Sequence, residues 1–204
     1  MNKKLQLFSL SILPLIYAGC VPKTTQIIPQ QTHTNSSPPI TQQPRELLPP
    51  SQTDSQNIIY HTLPTVQGSK VIIGERSNGF IFPQYKGKIV LLEIFGKTCH
   101  FCLGEMPFIN YIKNKYKNEI QIIAIQAQEP MSPQKTSELI HRFNMTYPII
   151  EGADATDLLS SIRDKYEWYG VLPYKILIKD GVSEYFYKGE ANKKEMEEYI
   201  QSLL

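Results

Sequence analysis

The chain has 204 residues, a formal net charge of +2 and 41% hydrophobic residues. This size and composition suit one globular domain with additional segments better than two full domains. Lysine and arginine are spread along the chain and form no basic stripe, so the composition does not indicate nucleic acid as a partner.

The first 19 residues have the pattern of an export signal. Two early lysines are followed by a short apolar run over 5–16 and by the small residues Ala18 and Gly19. That run is shorter than the apolar stretch that a transmembrane helix normally needs. Small residues that end at Cys20 resemble a bacterial lipobox, which implies cleavage before Cys20 and acylation of its thiol. Tyr17 departs from the branched aliphatic residue usual at its position, and plain secretion with a free Cys20 is the alternative.

Residues 20–57 are rich in proline, glutamine, threonine and serine. Few of these side chains can be buried, so we expect a disordered tether that holds a domain away from a membrane surface. Acylation would also remove the thiol left over among three cysteines in an oxidising compartment. The remaining residues, 58–204, are enough for one hydrophobic core.

The order of predicted elements in this domain indicates an α/β fold. Strands are predicted at 70–73 and 80–82, joined by an Asn78-Gly79 turn, and at 89–95, 120–127, 174–179 and 183–188, with a short extended piece at 147–150. Helices are predicted at 103–116, 133–143, 155–168 and 192–204. Two buried strands linked by helices, followed by an antiparallel hairpin and a closing helix, predict a mixed central sheet flanked by helices.

The motif Cys99-His100-Phe101-Cys102 follows the apolar strand 89–95 and opens a helix. Two thiols on the first turn of a helix can form a disulfide, and the helix dipole favours the thiolate of the first. A thiolate that attacks a disulfide, with a second thiol to release the mixed disulfide, suffices for thiol–disulfide exchange. Zinc binding normally needs four soft ligands. A zinc site and an inert structural disulfide are the alternatives.

Residues 86–107 resemble the TlpA-like branch of the thioredoxin superfamily, which often reads K-G-K-x-V-L-L-N-F-W-A-x-W-C-x-x-C-x-x-E-x-P. The segment 169–174 resembles the cis-proline loop of that family. The resemblance covers 58–204 and implies a thioredoxin-like fold, here with an added N-terminal hairpin. Thr98 stands where an aromatic residue usually precedes the first cysteine.

The position of each cysteine on the helix suggests its role. Cys99, at the helix mouth, is expected to attack, and Cys102 to resolve the mixed disulfide. The resemblance implies a carboxylate beneath the pair at Glu93, where desolvation would raise its pKa and let it accept a proton from Cys102. A solvated face of an edge strand is the alternative for Glu93. Glu105 is expected to stabilise the helix N-terminus.

Four further residues are expected to face a bound substrate. The resemblance implies a cis peptide bond before Pro173, which would turn the backbone of Leu172 toward Cys99 for strand-like hydrogen bonds with a substrate. His100 is either a cation that stabilises the thiolate or an exposed neutral side chain. Phe101 is the fourth residue expected to face the substrate, and packing of its side chain in the core is the alternative. No cofactor and no metal ion are predicted.

These features predict a protein thiol–disulfide oxidoreductase on the periplasmic side of the bacterial cell envelope, anchored through Cys20. The resemblance implies a reductant of protein substrates, as in cytochrome c maturation, that a membrane electron donor re-reduces. The alternatives are a disulfide-forming oxidase or isomerase, a thioredoxin-like copper chaperone, and a structural lipoprotein with an inert disulfide.

Overall fold

The computed structural model describes residues 57–204. The predicted signal peptide, Cys20 and all but the last residue of the predicted tether therefore lie outside the described residues. Within 57–204, no helix is both long enough and apolar enough to cross a membrane.

The described chain contains strands, α-helices and short 3-10 turns in mixed order. The strands are β1 Ile59–Pro64, β2 Lys70–Arg76, β3 Gly79–Ile81, β4 Ile89–Phe95, β5 Ile120–Gln126, β6 Ile149–Glu151, β7 Tyr174–Lys179 and β8 Val182–Lys188. The α-helices are α1 His100–Lys115, α2 Pro133–Phe143, α3 Thr156–Tyr166 and α4 Lys193–Ser202. This order matches the predicted succession of elements, apart from β1, which the sequence pattern did not reveal.

The central sheet has five strands in the order β6-β5-β4-β7-β8. β4 pairs in parallel with β5 and antiparallel with β7, so the sheet is mixed, as predicted. Every residue of β4 is buried. A continuous apolar run is typical of a strand that is covered on both faces, and β4 is accordingly the middle strand.

Alternating residues of β4 contribute to two hydrophobic cores, one on each face of the sheet. Ile89, Leu91 and Phe95 pack with residues of α1, α2 and α4. Val90, Leu92 and Ile94 pack with residues of α3 and of the small N-terminal sheet. Because side chains alternate along a strand, Glu93 shares the α1 face with Leu91 and Phe95.

The N-terminal addition is a three-stranded antiparallel sheet in the order β1-β2-β3. The predicted hairpin is present as β2 and β3, with Glu75 opposite Phe80. The additional strand β1 was missed because Leu63 is its one buried residue, so its sequence lacks the alternation of apolar and polar residues that identifies a strand.

Local signals set the helix boundaries. The Ser132 side chain accepts a hydrogen bond from the Lys135 N–H at 3.2 Å and caps α2, as predicted. α3 ends at Tyr166, earlier than the predicted end at residue 168, because Glu167 adopts a left-handed conformation with φ of 53°.

Candidate active site

The two cysteines of the motif lie where the central strand of the sheet turns into a helix. Cys99 is the N-cap of α1, and Cys102 lies in its first turn. They form a disulfide with a Cα–Cα distance of 5.3 Å. The Cys102 N–H also donates a hydrogen bond to Cys99 Sγ at 3.2 Å. The sulfur of Cys99 thus occupies the anion-favouring end of the helix.

The two sulfurs differ in accessibility. Cys102 is fully buried in the core beneath α1, whereas Cys99 is partly exposed at the edge of that core. An external thiol or disulfide can therefore reach Cys99 but not Cys102. In residues 57–204, no group of three or more His, Cys, Asp or Glu side chains is arranged to hold a metal ion.

Glu93 lies on the central strand, on the face that α1 covers, and is completely buried. This placement overturns the solvated edge-strand alternative. Both carboxylate oxygens lack a hydrogen-bond partner among the described residues. Burial raises the pKa of Glu93 to about 7, with Lys175 opposing the shift and Glu105 adding to it. The carboxyl group therefore changes its protonation state near neutral pH.

Lys175 was not among the residues predicted from the sequence, and it lies opposite Glu93 in the register between β4 and β7. Its side chain is fully buried, and its ammonium group forms an ion pair with Glu105 on α1. A signal was present, because Lys175 interrupts the otherwise apolar run 174–178 just as Glu93 interrupts the run of β4. A buried charge of this kind normally has a buried partner.

The expectation for Glu105 was wrong. Glu105 lies beyond the first turn of α1 and is 2% exposed, so it does not act at the helix N-terminus. One carboxylate oxygen binds Lys175, and the other accepts a hydrogen bond from the Ala191 N–H at 2.8 Å. Glu105 therefore joins α1 to β7 and to the segment before α4.

Tyr147 is a further buried polar group near Glu93. Its hydroxyl donates a hydrogen bond to the sulfur of Met106 at 3.2 Å and not to the carboxylate. Burial raises the pKa of Tyr147 well above its usual value, and the nearby Glu93 carboxylate adds to the shift. Lys175, Glu105 and Tyr147 thus surround Glu93 electrostatically without hydrogen-bonding to it.

The loop before β7 contains the cis peptide bond that was predicted for it. The Leu172–Pro173 peptide bond is cis. The Pro173 carbonyl accepts a hydrogen bond from the Gly189 N–H at 2.9 Å, which ties the loop to the end of β8. Leu172 and Cys99 both pack, partly exposed, at the edge of the α1-face core.

Several apolar side chains of the motif and of the loop before Pro173 are exposed. Phe101 is 56% exposed, so the packing alternative for it was wrong; Tyr169 and Val171 are 75% and 51% exposed. The indole N–H of Trp168 donates to the Val171 carbonyl at 2.9 Å and holds this loop in shape. His100 is exposed, with its ring edge-on to that of Phe101 at 6.0 Å.

Known proteins resemble this chain in sequence and in fold. A curated relative, the thiol-disulfide oxidoreductase ResA of Geobacillus kaustophilus, is 32% identical over 122 residues, which cover 58% of this chain and 65% of that protein. No family model matches the chain. Among solved structures, a putative thioredoxin from Neisseria meningitidis aligns with a TM-score of 0.55 and 20% identity over 72% of this chain and 88% of its own. A secreted Mycobacterium tuberculosis disulfide oxidoreductase homologous to E. coli DsbE aligns with a TM-score of 0.52 and 16% identity over 70% of this chain and 95% of its own.

The fold is therefore thioredoxin-like, with a disulfide at the junction of the central strand and its following helix. The resemblance predicted from residues 86–107 is confirmed: the chain is similar in sequence to the ResA relative, and its fold is that of thioredoxin-like proteins.

Proposed function

We propose that this protein is a thiol–disulfide oxidoreductase that exchanges disulfides with protein substrates. The observation that carries the proposal is the Cys99–Cys102 disulfide, with one accessible and one buried sulfur. Glu93, an ionisable carboxyl group, lies on the same face of the sheet as the buried sulfur. The ResA relative bears the name of this activity, and this chain spans 65% of its length.

The geometry supports a two-step exchange. In the reduced protein, the Cys99 thiolate attacks a substrate disulfide, forms a mixed disulfide and releases one substrate sulfur as a thiolate. Cys102 then gives its proton to the ionised Glu93 and attacks Cys99 Sγ, which forms the Cys99–Cys102 disulfide and releases the second substrate thiolate. Two electrons pass to the substrate, and the reverse sequence would oxidise a dithiol.

Polypeptide substrates fit the surface around Cys99. The exposed side chains of Phe101, Tyr169 and Val171 offer apolar contacts to an extended chain. In the proposal, His100 and Phe101 contact the substrate beside the disulfide, while Leu172 and Pro173 present backbone groups to it. No diffusible cofactor is needed, because the two cysteines carry the electrons.

We assign the direction as reduction, in a role such as cytochrome c maturation, with a membrane electron donor that restores the dithiol. Measurement of the reduction potential of the Cys99–Cys102 couple tests this direction. A value near roughly −270 mV is expected for a reductant, and a value near roughly −120 mV would instead assign a disulfide-forming oxidase.

The proposed location is the periplasmic side of the cell envelope, in a protein with a signal peptide over 1–19, a tether over 20–57 and the redox domain over 58–204. The small residues before Cys20 support an acylated anchor there. The native protein is expected to partition into detergent and to begin at an acylated Cys20. Replacement of Cys20 by serine should move the protein to the aqueous phase while it keeps its exchange activity. An unmodified N-terminus elsewhere would contradict the anchor.

The exchange activity itself is tested by insulin reduction coupled to dithiothreitol. The full chain should accelerate the reaction, and Cys99→Ser should reduce the rate to that of dithiothreitol alone. Cys20→Ser is the matched control, because it removes a cysteine without touching the pair. An unaccelerated reaction with the native chain would identify the disulfide as an inert structural link.

A further inference from the structure

We propose, on the basis of the exchange activity proposed above, that Gln128 is a positioning residue that fixes the segment before Cys99. The side-chain oxygen of Gln128 accepts two hydrogen bonds from Thr98, one from the backbone N–H at 3.0 Å and one from the hydroxyl at 2.9 Å. We call this pair of bonds the Gln128 clamp. Thr98 is the residue that directly precedes Cys99, where the TlpA-like pattern has an aromatic side chain.

The clamp is specific in its chemistry. A backbone N–H can only donate, so the side-chain atom that faces it must be the amide oxygen and not the amide nitrogen. A single acceptor that receives both donors of Thr98 fixes the backbone and the side chain of that residue together. The segment from Gly96 to Thr98 is thus held by a partner from a different part of the chain.

Gln128 is itself held in place by a buried residue. Gln126, fully buried at the end of β5, accepts a hydrogen bond from the Gln128 N–H at 2.8 Å and donates one to the Glu129 carbonyl at 2.9 Å. Its amide also donates to a Glu151 carboxylate oxygen at 2.9 Å. The other carboxylate oxygen of Glu151 accepts the Met131 N–H at 3.2 Å. The loop that carries Gln128 is therefore anchored to two strands of the central sheet.

Further contacts join the two loops on either side of the clamp. The Ala127 N–H donates to the Phe95 carbonyl at 2.8 Å, and the Lys97 ammonium donates to the Pro130 carbonyl at 3.1 Å. The loop after β5 therefore runs beside the loop after β4 from its first residue to the position before Cys99. The clamp is the contact of this set that lies nearest to Cys99 along the chain.

Gly96 shows how closely the Gln128 side chain fits against this loop. A Cβ atom added to Gly96 would lie 2.6 Å from Gln128 Cδ and 2.9 Å from both amide heteroatoms. These atoms end a flexible side chain, so Gly96→Ala is expected to displace the Gln128 amide without breaking the fold. Because Gly96 has no side chain, the Gln128 amide has the space that it needs to form the clamp.

The consequence concerns the thiolate of Cys99. Its stabilisation by the helix N-terminus requires that the sulfur stay at the N-cap position. Without the clamp, the segment 96–98 gains conformational freedom, and the sulfur spends less time at that position. We therefore expect the clamp to lower the pKa of the Cys99 thiol in the reduced protein and to raise the rate of its first attack.

The test follows alkylation of Cys99 by iodoacetamide as a function of pH, in the full chain with Cys102→Ser, quantified by mass spectrometry on the tryptic peptide 98–113. Gln128→Ala should move the alkylation midpoint to higher pH and lower the rate at pH 7 about three- to tenfold, the range expected for the loss of two exposed hydrogen bonds. Gly96→Ala should have the same effect. Gln121→Ala is the matched control, since Gln121 is a partly buried glutamine at the opposite end of β5 that bonds to the Ile122 carbonyl, and it should change neither quantity.

A double-mutant cycle makes the assignment sharper. Thr98→Ser should retain the native midpoint, because serine keeps both donors, whereas Thr98→Val should give an intermediate shift. In the Gln128→Ala background, Thr98→Val should add nothing further. An unchanged alkylation midpoint in folded Gln128→Ala, or additive shifts in the double variant, would overturn the proposal. Alkylation needs no substrate, so its outcome is independent of whether the protein reduces insulin.

Discussion

Lys175 lies opposite Glu93 in the register between β4 and β7, yet its ammonium group binds Glu105 on α1. Two carboxyl groups and one ammonium group therefore share the space beneath the disulfide-bearing helix. Because Glu105 holds the cation, Glu93 keeps two unpartnered oxygens and is the member whose pKa rises to about 7. The ion pair thus leaves the Glu93 carboxyl group without a hydrogen-bond partner on the face of the sheet that α1 covers, and the predictions below follow from this arrangement.

The first prediction assigns the two cysteines. Cys102→Ser should accumulate stable mixed disulfides with substrate through Cys99, because the resolving thiol is gone. Cys99→Ser should accumulate none, because the sulfur of Cys102 is fully buried and out of reach of a substrate. Non-reducing electrophoresis and mass spectrometry of the adducts measure both outcomes. Adducts through Cys102 on the Cys99→Ser protein would reverse the assignment.

The second prediction concerns proton transfer to Glu93. Glu93→Gln should preserve the first attack by Cys99 and slow the resolution of the mixed disulfide most near neutral pH, since an amide cannot accept the proton of Cys102. The loss is at most about 10²–10⁴-fold, the usual range for general-base catalysis. At high pH Cys102 ionises unaided, so the two proteins should converge.

Stopped-flow measurement of resolution between pH 6 and pH 9 checks the Glu93 prediction. Glu75→Gln is the control, because Glu75 is a buried carboxylate outside the site, which lies in the small sheet and binds Lys165 at 2.6 Å. That variant should resolve mixed disulfides at the native rate. Equal rates for Glu93→Gln and the native protein across this range would remove Glu93 from the mechanism.

The third prediction links the pKa of Glu93 to stability. The folded-state pKa of about 7 lies above the usual value of 4.5, so the unfolded chain releases this proton first. The contribution of Glu93 to the free energy of unfolding is therefore fully present below about pH 4.5 and is lost as the pH rises toward 7. Glu93→Gln removes this dependence. As the pH rises from 5 to 8, the unfolding free energy of the variant should therefore increase relative to that of the native protein by up to about 3 kcal/mol.

Urea denaturation of both oxidised proteins at pH 5 and pH 8 measures that difference. The relevant quantity is the change with pH, because the substitution also alters packing by an amount that does not depend on pH. A difference between the two proteins that stays constant from pH 5 to pH 8 would show that Glu93 ionises normally in the folded protein.

The fourth prediction concerns the ion pair between Lys175 and Glu105. Lys175→Met leaves the Glu105 carboxylate buried with the Ala191 N–H as its remaining donor, and should cost about 3–5 kcal/mol of unfolding free energy. The double variant Lys175→Met/Glu105→Gln should recover part of this loss, because no buried charge is left unpaired. Denaturation of the single and double variants is the measurement.

The control for the ion pair lies on the surface. Lys135 binds Glu138 at 3.1 Å on α2 with both side chains substantially exposed, so Lys135→Met should cost at most about 1 kcal/mol. A similar cost for Lys135→Met and Lys175→Met would mean that the buried pair contributes no more than a surface pair. If Lys175→Met does not fold, recovery in the double variant still tests the pairing.

The sequence by itself determined the order of elements, the mixed sheet and the position of the two cysteines. These features depend on local signals: the apolar run of β4, the Ser132 cap of α2 and the spacing of Cys99 and Cys102 are all readable within a few residues. The placement of Glu93 beneath the helix was implied by the family resemblance, whereas a charge inside an otherwise apolar strand left a solvated face of an edge strand open as the alternative. Strand β1 was not predicted, because a strand with one buried residue has no regular alternation of apolar and polar residues.

Tertiary structure alone decided how the buried charges and the loops pair. Lys175 is separated from Glu105 by 70 residues and Thr98 from Gln128 by 30, so no local pattern links either pair. Glu105 was assigned to the helix N-terminus because proximity in sequence favoured that partner, whereas burial in the fold gave it Lys175. A buried charge or an unpaired backbone donor is satisfied by whichever group the packing of strands and helices brings within hydrogen-bond distance, and this depends on the whole fold.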